Sequence, residues 1–374
     1  MKSLLPILNQ RRSLITILIL ASVSFLVSSC STKKPAVGHE DEIIVFADSA
    51  EYYNIESSML TVFSKVILTP QPENLFNLTR KNLSELGKYK DRKNIIIVAP
   101  LNSNSDVSNY INSLLDQKVK DLVNKDSVFV VNKKDLWANG QLVMVLTAPD
   151  MEKLNKDILE DSQNLLHYFQ KASDDRMLQS LYNERYENKK VEAQLLKKYG
   201  WVIYAEIDYF LARSDSANNF VWLRRSPGSE MERWIFVHWI DNASPIYLNR
   251  DSVYAIRNRV TKKFYRTDSD SSYVEITNAP GYEMKTNEVN FLKRYALFSQ
   301  GLWKMSDGSM GGPFVNYTFY DEPTKRLYML DGSIYAPKFY KKKLIQQVDV
   351  LLHSFLAERE LSPDKKEDLL EELK

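Results

Sequence analysis

In the second half of the chain, several strand-length segments are apolar at both alternating sets of positions, and this pattern constrains the fold most. In residues 234–240, which read WIFVHWI, the positions that point to opposite faces of a sheet are both largely apolar. A sheet with one face in water alternates apolar and polar residues instead. The pattern therefore predicts a sheet that is buried on both faces.

Five further segments share this aromatic, strand-like composition, and turn-forming residues separate them. The predicted strands are 201–211, 220–224, 233–240, 296–303, 314–320 and 326–335. Helices predicted at 249–264 and 337–356 are expected to cover one face of this sheet. The other face is then left for a neighbouring domain or a partner.

The first half of the chain alternates short apolar runs with helical patterns. Strands are predicted at 42–47, 94–99, 127–131 and 141–147, and helices at 49–66 and 107–123. This order indicates an α/β layer structure. From 150 to 198, apolar residues recur every three or four positions and Gly200 follows in a helix C-cap position, which predicts one or two amphipathic helices.

Cys30 is the one cysteine of the sequence and follows an arrangement typical of a secretory signal. Lys2, Arg11 and Arg12 precede an apolar run at 14–27, and small residues lead up to the thiol. A retained membrane-spanning helix is disfavoured, because it needs roughly 20 apolar residues. The pattern resembles a bacterial lipobox, which implies export by the general secretory route, cleavage before Cys30 and attachment of palmitate-type acyl chains to it.

These features predict a chain of two domains with short terminal segments. The expected boundaries are a signal peptide at 1–29, a lipidated tether at 30–40, an α/β domain at 41–149, a helical bridge at 150–198, an antiparallel domain at 199–357, and a charged tail, helical or disordered, at 358–374. The formal net charge is +2 and falls close to zero without the basic first 29 residues. No nucleic-acid partner is therefore expected.

No cofactor motif, metal site or catalytic set stands out in the sequence. The four histidines lack the spacing of a zinc site. The glycine-rich stretch that contains Ser309, Met310, Gly311, Gly312 and Pro313 lacks the spacing of a nucleophile elbow or a phosphate loop. A hairpin loop is favoured there, and a ligand-binding loop is the alternative.

Three tryptophans and one serine are further candidates. Trp222, Trp239 and Trp303 would suit an aromatic surface for sugar rings, although aromatic residues at strand spacing more often form core. Ser216 lies in an Asp-Ser-Ala triplet that looks like an O-glycan acceptor in a turn. Acidic residues are so numerous that the sequence does not show which of them lie close together. A pair of catalytic carboxylates therefore stays an alternative.

Three stretches, at 219–225, 310–315 and 334–339, resemble a family of Bacteroidota lipoproteins known as domain of unknown function 4837. The resemblance covers essentially the whole mature chain. It implies an envelope location and supplies no activity. The second half is also similar to the fold of the photosystem extrinsic subunit PsbP and Ran-binding Mog1. That resemblance implies an α+β domain whose mainly antiparallel sheet is covered by helices.

The expected function is that of a lipid-anchored envelope protein, more a binding or assembly factor than an enzyme. Its expected partners are the membrane, through the lipid on Cys30, and an envelope protein or cell-wall component. The alternative is a peptidoglycan-directed hydrolase with paired carboxylates. Lys33 and Lys34 follow the cysteine where surface-exported lipoproteins carry acids, which favours the periplasmic face, with the outer membrane preferred to the inner.

Overall fold

The computed structural model describes residues 33–67, 69–226, 230–267 and 269–374. The strands are β1 Glu42–Phe46, β2 Val66–Ile67, β3 Glu73–Asn74, β4 Asn77–Lys81, β5 Asn94–Val98, β6 Val130–Lys134, β7 Leu142–Leu146, β8 Trp201–Val202, β9 Phe210–Asp215, β10 Phe220–Arg225, β11 Glu232–Ile240, β12 Val274–Ile276, β13 Lys285–Phe291, β14 Arg294–Met305, β15 Gly311–Asp321, β16 Arg326–Tyr335 and β17 Leu356–Ala357. The helices are α1 Ser49–Phe63, α2 Leu86–Tyr89, α3 Asp106–Leu114, α4 Gln117–Asn124, α5 Met151–Glu160, α6 Ser162–Leu181, α7 Lys189–Tyr199, α8 Arg250–Phe264, α9 Lys342–Leu352 and α10 Pro363–Glu371.

Contacts within the chain define two units. The first contains residues up to 49 together with 80–150, and the second contains 50–79 together with 151–374. This grouping differs from the expected boundaries, because α1 after its first residue and all of 151–198 group with the second unit. That the chain consists of two domains with the boundaries given above remains a prediction.

The first unit is built on a mixed five-stranded sheet in the order β4-β1-β5-β7-β6. β1, β5 and β7 are parallel, and β6 is antiparallel to β7. Every residue of β5 and β7 is buried, as the continuous apolar runs indicate. The α/β prediction is confirmed here, although the edge strand β4 had no clear signal in the sequence.

The predicted helix at 107–123 is in fact two helices, α3 and α4. Its break lies at Leu115 and Asp116, where the chain becomes extended. Asp116 accepts a hydrogen bond from the backbone N–H of Val119 at 2.9 Å and so begins a new helix. A local cap overrides the apolar periodicity that runs through both helices.

The second unit contains an eight-stranded antiparallel sheet in the order β12-β14-β15-β16-β11-β10-β9, with β13 also paired to β14. Both faces are buried, and the packing of helices on this antiparallel sheet confirms the expected α+β fold class. Leu327 and Met329 of β16 share an apolar cluster with Val253 of α8. Tyr328 and Leu330, on the opposite face, share another with residues of α6, α7 and α9.

The expectation that two helices cover one face and leave the other open is therefore wrong. α8 covers one face, and α9, with α6 and α7, covers the other. Gly332 of β16 allows this arrangement, since a Cβ at that position would lie 2.0 Å from Cγ1 of Val348 in α9. The chain's own helices thus occupy the surface that was expected to await a partner.

A fully buried ion pair lies under α8. Arg257 donates from Nε to Asp331 Oδ2 at 2.7 Å, and both side chains are inaccessible to solvent. The guanidinium also lies over the Phe314 ring at 3.6 Å. Because a buried charge is costly once unpaired, the pair fixes the position of α8 on β16.

The region predicted as a bridge forms three helices, α5, α6 and α7, within the second unit. The C-terminal segment, predicted to be helical or disordered, ends in helix α10. Leu369 of α10 is fully buried against Ala193, Leu196 and Val202. The tail is therefore part of the folded unit.

Candidate functional site

A cavity of about 880 Å³ lies within the second unit. Its walls come from α6, α9 and the strands β13, β14 and β15. This volume is in the range of pockets that hold small ligands. The side chains that line it mix apolar residues with a small set of titratable groups.

The polar groups reach the cavity from one stripe of α9. Gln346, Asp349 and His353 follow each other at three- and four-residue spacing, so they share one side of the helix. Leu344, Val348 and Leu351, on the other side, are buried in the cluster against the sheet. The amphipathic pattern of α9 thus points its polar stripe toward α6.

Asp174 of α6 meets this stripe through Gln346. The amide Nε2 of Gln346 donates to Asp174 Oδ1 at 2.7 Å and to Ser173 Oγ at 2.9 Å. Burial raises the pKa of the Asp174 carboxyl to about 6, and the charge of Asp349 adds to the rise. The hydrogen bond from Gln346 opposes that shift only in part.

Asp349 is the second carboxyl of the cavity. Its Oδ1 accepts a hydrogen bond from the hydroxyl of Tyr317 at 2.8 Å. Although 26% of the side chain is accessible, surrounding protein desolvates it and raises the pKa of this carboxyl as well. Burial also raises the pKa of the Tyr317 hydroxyl, which therefore stays a hydrogen-bond donor.

His353 lies one turn beyond Asp349 and closes the cluster. Its Nδ1 lies 2.9 Å from the backbone carbonyl oxygen of Asp349, which assigns the proton of the neutral ring to Nδ1. The same nitrogen is 3.9 Å from Asp349 Oδ1. Edge contacts with Phe291 and Tyr317, at centroid distances of 4.9 and 5.0 Å, hold the ring in place.

The two carboxyls have little compensation for their charge. Within the described residues, no lysine or arginine nitrogen lies within 4 Å of the carboxylate oxygens of Asp174 or Asp349. His353 is the one basic side chain in this part of the chain that lies within that distance of Asp349. Asp175, the next residue along α6, pairs with Lys171 at 3.2 Å. Asp174 and Asp349 thus differ from Asp175, which has a lysine partner.

Apolar side chains complete the cavity wall, among them Val289, Phe298, Val315 and Ile345. A pocket with an acidic end and apolar walls can bind a group that donates hydrogen bonds or carries positive charge on an apolar body. A carboxyl that titrates near pH 6 can also transfer protons near neutrality. Both kinds of chemistry follow from the same geometry.

The glycine-rich stretch forms the turn and the first residues of a hairpin. Ser309 and Met310 lie in the turn, while Gly311, Gly312 and Pro313 belong to β15. Sheet packing accounts for Gly312, because a Cβ there would lie 1.9 Å from the backbone oxygen of Ile334. A binding role for this stretch remains a prediction.

The two glycines Gly311 and Gly312 do line a smaller cavity of about 360 Å³, together with Trp303 and Lys341. Lys341 is 2% exposed, and its Nζ donates to Gln71 Oε1 at 3.0 Å and to the Phe339 carbonyl at 2.7 Å. Burial lowers the pKa of its ammonium. These bonds use two of the three N–H donors of the ammonium within the protein.

The aromatic residues proposed as a sugar-binding surface are mostly core. Trp239 and Trp303 are 3% and 1% exposed, so neither can stack on an external ring. Trp222 is half-buried and packs against Tyr265 at a centroid distance of 4.6 Å. The aromatic surface is therefore wrong for Trp239 and Trp303, because both faces of the sheet are covered.

Two other candidates remain predictions. Ser216 is exposed at a turn between β9 and β10, where an O-glycan would be accessible. Cys30 lies outside the described residues. Among those residues, no helix combines the length and apolarity that crossing a bilayer requires. The same part of the chain holds no cluster of three or more histidine, cysteine or acidic side chains placed to bind a metal ion.

Sequence reasoning missed Asp174, Asp349 and Gln346, and it treated His353 as an isolated histidine. The signal that could have found them is the polar stripe of α9 inside an otherwise apolar helix. The contact between this stripe and Asp174 cannot be read from the sequence, because Asp174 precedes Gln346 by 172 residues. Nor did sequence reasoning place Tyr317, the donor to Asp349, in this site.

Comparison with protein families matches residues 187–354 to the family described as Domain of unknown function (DUF4837). Residues 36–182 match another, Domain of unknown function (DUF8532). The resemblance stated from the sequence is confirmed for residues 187–354, and the first half matches a different family. Neither family has a known activity in its description, and no curated protein sequence matches the chain.

Three solved structures show weak similarity. A Bacteroides thetaiotaomicron crystal structure shares 6% identity over 42% of this chain and 45% of its own, with a TM-score of 0.24. The Saccharomyces cerevisiae Ran-binding protein Mog1p shares 7% over 42% of this chain and 90% of its own, with a TM-score of 0.27. The lipid transfer and protein localization domain of human StarD13 shares 11% over 44% and 94%, with a TM-score of 0.20. The chain thus spans less than half of the Bacteroides protein.

Proposed function

We propose that this chain is a lipid-anchored cell-envelope protein that binds a small envelope or cell-wall component in the cavity of its second unit. The observation that supports this most is the pair of desolvated carboxyls, Asp174 and Asp349, in a cavity of about 880 Å³. Acids kept without a counter-charge cost stability. Proteins retain such groups mainly where function needs them.

The anchor rests on the sequence around Cys30. A charged start, an apolar run and small residues before the thiol are the parts of a lipoprotein signal. Two or more acyl chains hold a protein on a membrane stably. We place the protein on the periplasmic side, with the outer membrane preferred, because Lys33 and Lys34 follow the cysteine.

The mode of binding differs from the one first expected. An open apolar sheet face was the reason to expect a docked protein, and α8 and α9 cover the two faces. We therefore place the binding site in the cavity between α6 and α9 and not on a face of the sheet. A ligand of small size therefore replaces a large docked partner in the proposal.

A peptidoglycan-directed hydrolase is the second candidate, and one observation favours it. Asp174 titrates near pH 6, which suits a general acid, and a second carboxyl lies in the same cavity. Release of muropeptides from purified cell wall by the protein, and its loss in D174N, would support this candidate. A wild-type protein that releases none would exclude it.

The binding proposal is tested by filling the cavity. The full chain is purified in mild detergent from its own envelope as wild type, V289W and I246W, and bound small molecules are identified by native mass spectrometry. Val289 lines the cavity, whereas Ile246 is 76% exposed and away from it. A molecule is expected on wild type and I246W and not on V289W; equal occupancy of all three would contradict the proposal.

A further inference from the structure

The charges around the cavity are arranged unevenly. Lys171 is engaged by Asp175, and Lys342 lies over the Phe76 ring with Nζ 4.8 Å from its centroid. Lys285 is exposed on β13. Among the described residues, none of these ammonium groups lies within ion-pair distance of Asp174 or Asp349. Lys65 is a fourth lysine of the lining. The lining therefore carries lysines as well as the two acids, and in the described part of the chain no lysine pairs with Asp174 or Asp349.

Only one oxygen of each of the two carboxyls accepts a hydrogen bond from a described residue. Oδ1 of Asp174 accepts from Gln346, and Oδ1 of Asp349 accepts from Tyr317. No group in the described part of the chain donates to Oδ2 of either residue. The protein thus orients both carboxyls through one oxygen and leaves the other oxygen available within an accessible cavity.

We propose that the ligand of this cavity carries a primary ammonium group that binds between Asp174 and Asp349, with an apolar body against Val289, Phe298 and Ile345. This inference rests on the proposed binding function and names its ligand class. An ammonium has three donors, which match two free carboxylate oxygens better than a single neutral hydroxyl does. The apolar walls favour a hydrocarbon or aromatic body over a polar one.

Calorimetric titration of the full chain with two probes tests the inference. Benzylamine carries the ammonium, and benzyl alcohol has a similar size and shape without the charge. At pH 7.5 the amine is expected to bind about tenfold more tightly than the alcohol, as charge-assisted hydrogen bonds require. D174N and D349N should each weaken amine binding by about fivefold or more and leave the alcohol unaffected.

D175N is the matched control, because it removes the same charge from the next residue of α6, which already pairs with Lys171. It should weaken amine binding less than about twofold. Equal affinity for both probes, or an equal effect of D175N and D174N, would overturn the amine inference and leave cavity binding standing. If neither probe binds, the amine inference fails, and the native mass spectrometry of V289W and I246W decides the proposed function. D174N decides alone if D349N does not fold, since its amide oxygen can still accept from Gln346.

Discussion

Gly312 shows how a single backbone contact decides the identity of a residue. The strand β15 passes so close to β16 that a Cβ at Gly312 would lie 1.9 Å from the backbone oxygen of Ile334. G312A should therefore lower the free energy of unfolding by about 3 kcal/mol or more, as overpacking against a rigid neighbour does. Chemical denaturation measures the change.

G308A is the control for that substitution. Gly308 has a positive φ of 76° and open space around its Cα, so alanine there costs only about 1 kcal/mol of backbone strain. Equal losses for G312A and G308A would show that the close approach is not what requires glycine at 312.

Asp174 should make the protein less stable than it could be at neutral pH. Its folded-state pKa of about 6 exceeds the ordinary value of 3.8, so the folded state holds the proton more tightly and stability falls as the pH rises between these values. D174N removes the buried charge. The variant should be more stable than wild type by about 1 to 2 kcal/mol at pH 7.5 and nearly equal to it at pH 4.

Urea unfolding at the two pH values measures this difference. D175N, whose charge is exposed and paired with Lys171, should change stability by less than about 0.5 kcal/mol at either pH. A D174N variant that is less stable than wild type at pH 7.5 would mean that the carboxylate stabilises the fold and is not held there for binding.

For single residues, the sequence predicts burial of aromatic side chains better than it predicts which acids line a cavity. A tryptophan at strand spacing can be assigned to core with fair success, as Trp239 and Trp303 show. The exceptional acids cannot be found in this way, because Asp174 and Asp349 are two among 48 acidic residues. Their raised pKa values come from desolvation, which depends on neighbours from distant parts of the chain.

Between elements, the buried Glu192 of α7 is expected to make the packing of α7 with α10 depend on pH. It is 2% exposed on α7, and its Oε1 accepts from the backbone N–H of Ala205 at 3.1 Å. Burial, and the nearby charge of Glu187, raise the pKa of Glu192 to about 8. Glu187 in turn pairs with Lys365 of α10.

The folded state therefore binds a proton at Glu192 that the unfolded state loses near pH 4.5, so stability falls as the pH rises from there to about 8. E192Q keeps an acceptor for Ala205 and carries no charge. It should be more stable than wild type at pH 9, by on the order of 2 kcal/mol, and should lose most of the fall in melting temperature that wild type shows between pH 4.5 and about 8.

Melting curves followed by circular dichroism test this expectation. E184Q serves as the control, because it removes the same charge from an exposed residue. It should keep the wild-type pH profile. If E192Q melts with the same pH dependence as wild type, Glu192 is not the group that links the two helices to pH.

Element types follow from the sequence more readily than their packing does. The strands β10, β11, β14, β15 and β16 and the helix α8 occur where periodicity predicted them. The strand predicted at 201–211 is wrong, because only its ends form strands, β8 and β9, and the sequence reasoning did not predict β12 and β13. Periodicity gave no means of knowing that α8 and α9 lie on opposite faces, because a sheet that is apolar on both sides accepts a helix on either. The division between α3 and α4 was likewise set by one cap, Asp116.

For the whole molecule, the proposed anchor at Cys30 would decide on which membrane the protein meets its ligand. C30A should lose incorporation of labelled palmitate and move from the detergent phase to the aqueous phase on Triton X-114 separation, because the acyl chains supply the membrane affinity. S31A, the adjacent substitution, should behave as wild type. Retained label in C30A would contradict the proposed lipoprotein.

The proposed site requires that Asp174 be a desolvated carboxyl whose charged form a bound positive group stabilises. Carbon-13 NMR of the full chain labelled at aspartate carboxyls measures this directly, with D174N used to assign the Asp174 signal. Asp174 should titrate near pH 6 in the free protein, and saturation with benzylamine should lower that pKa by about one unit or more. A pKa near the ordinary 3.8 in the free protein, or one that benzylamine does not move, would contradict the account.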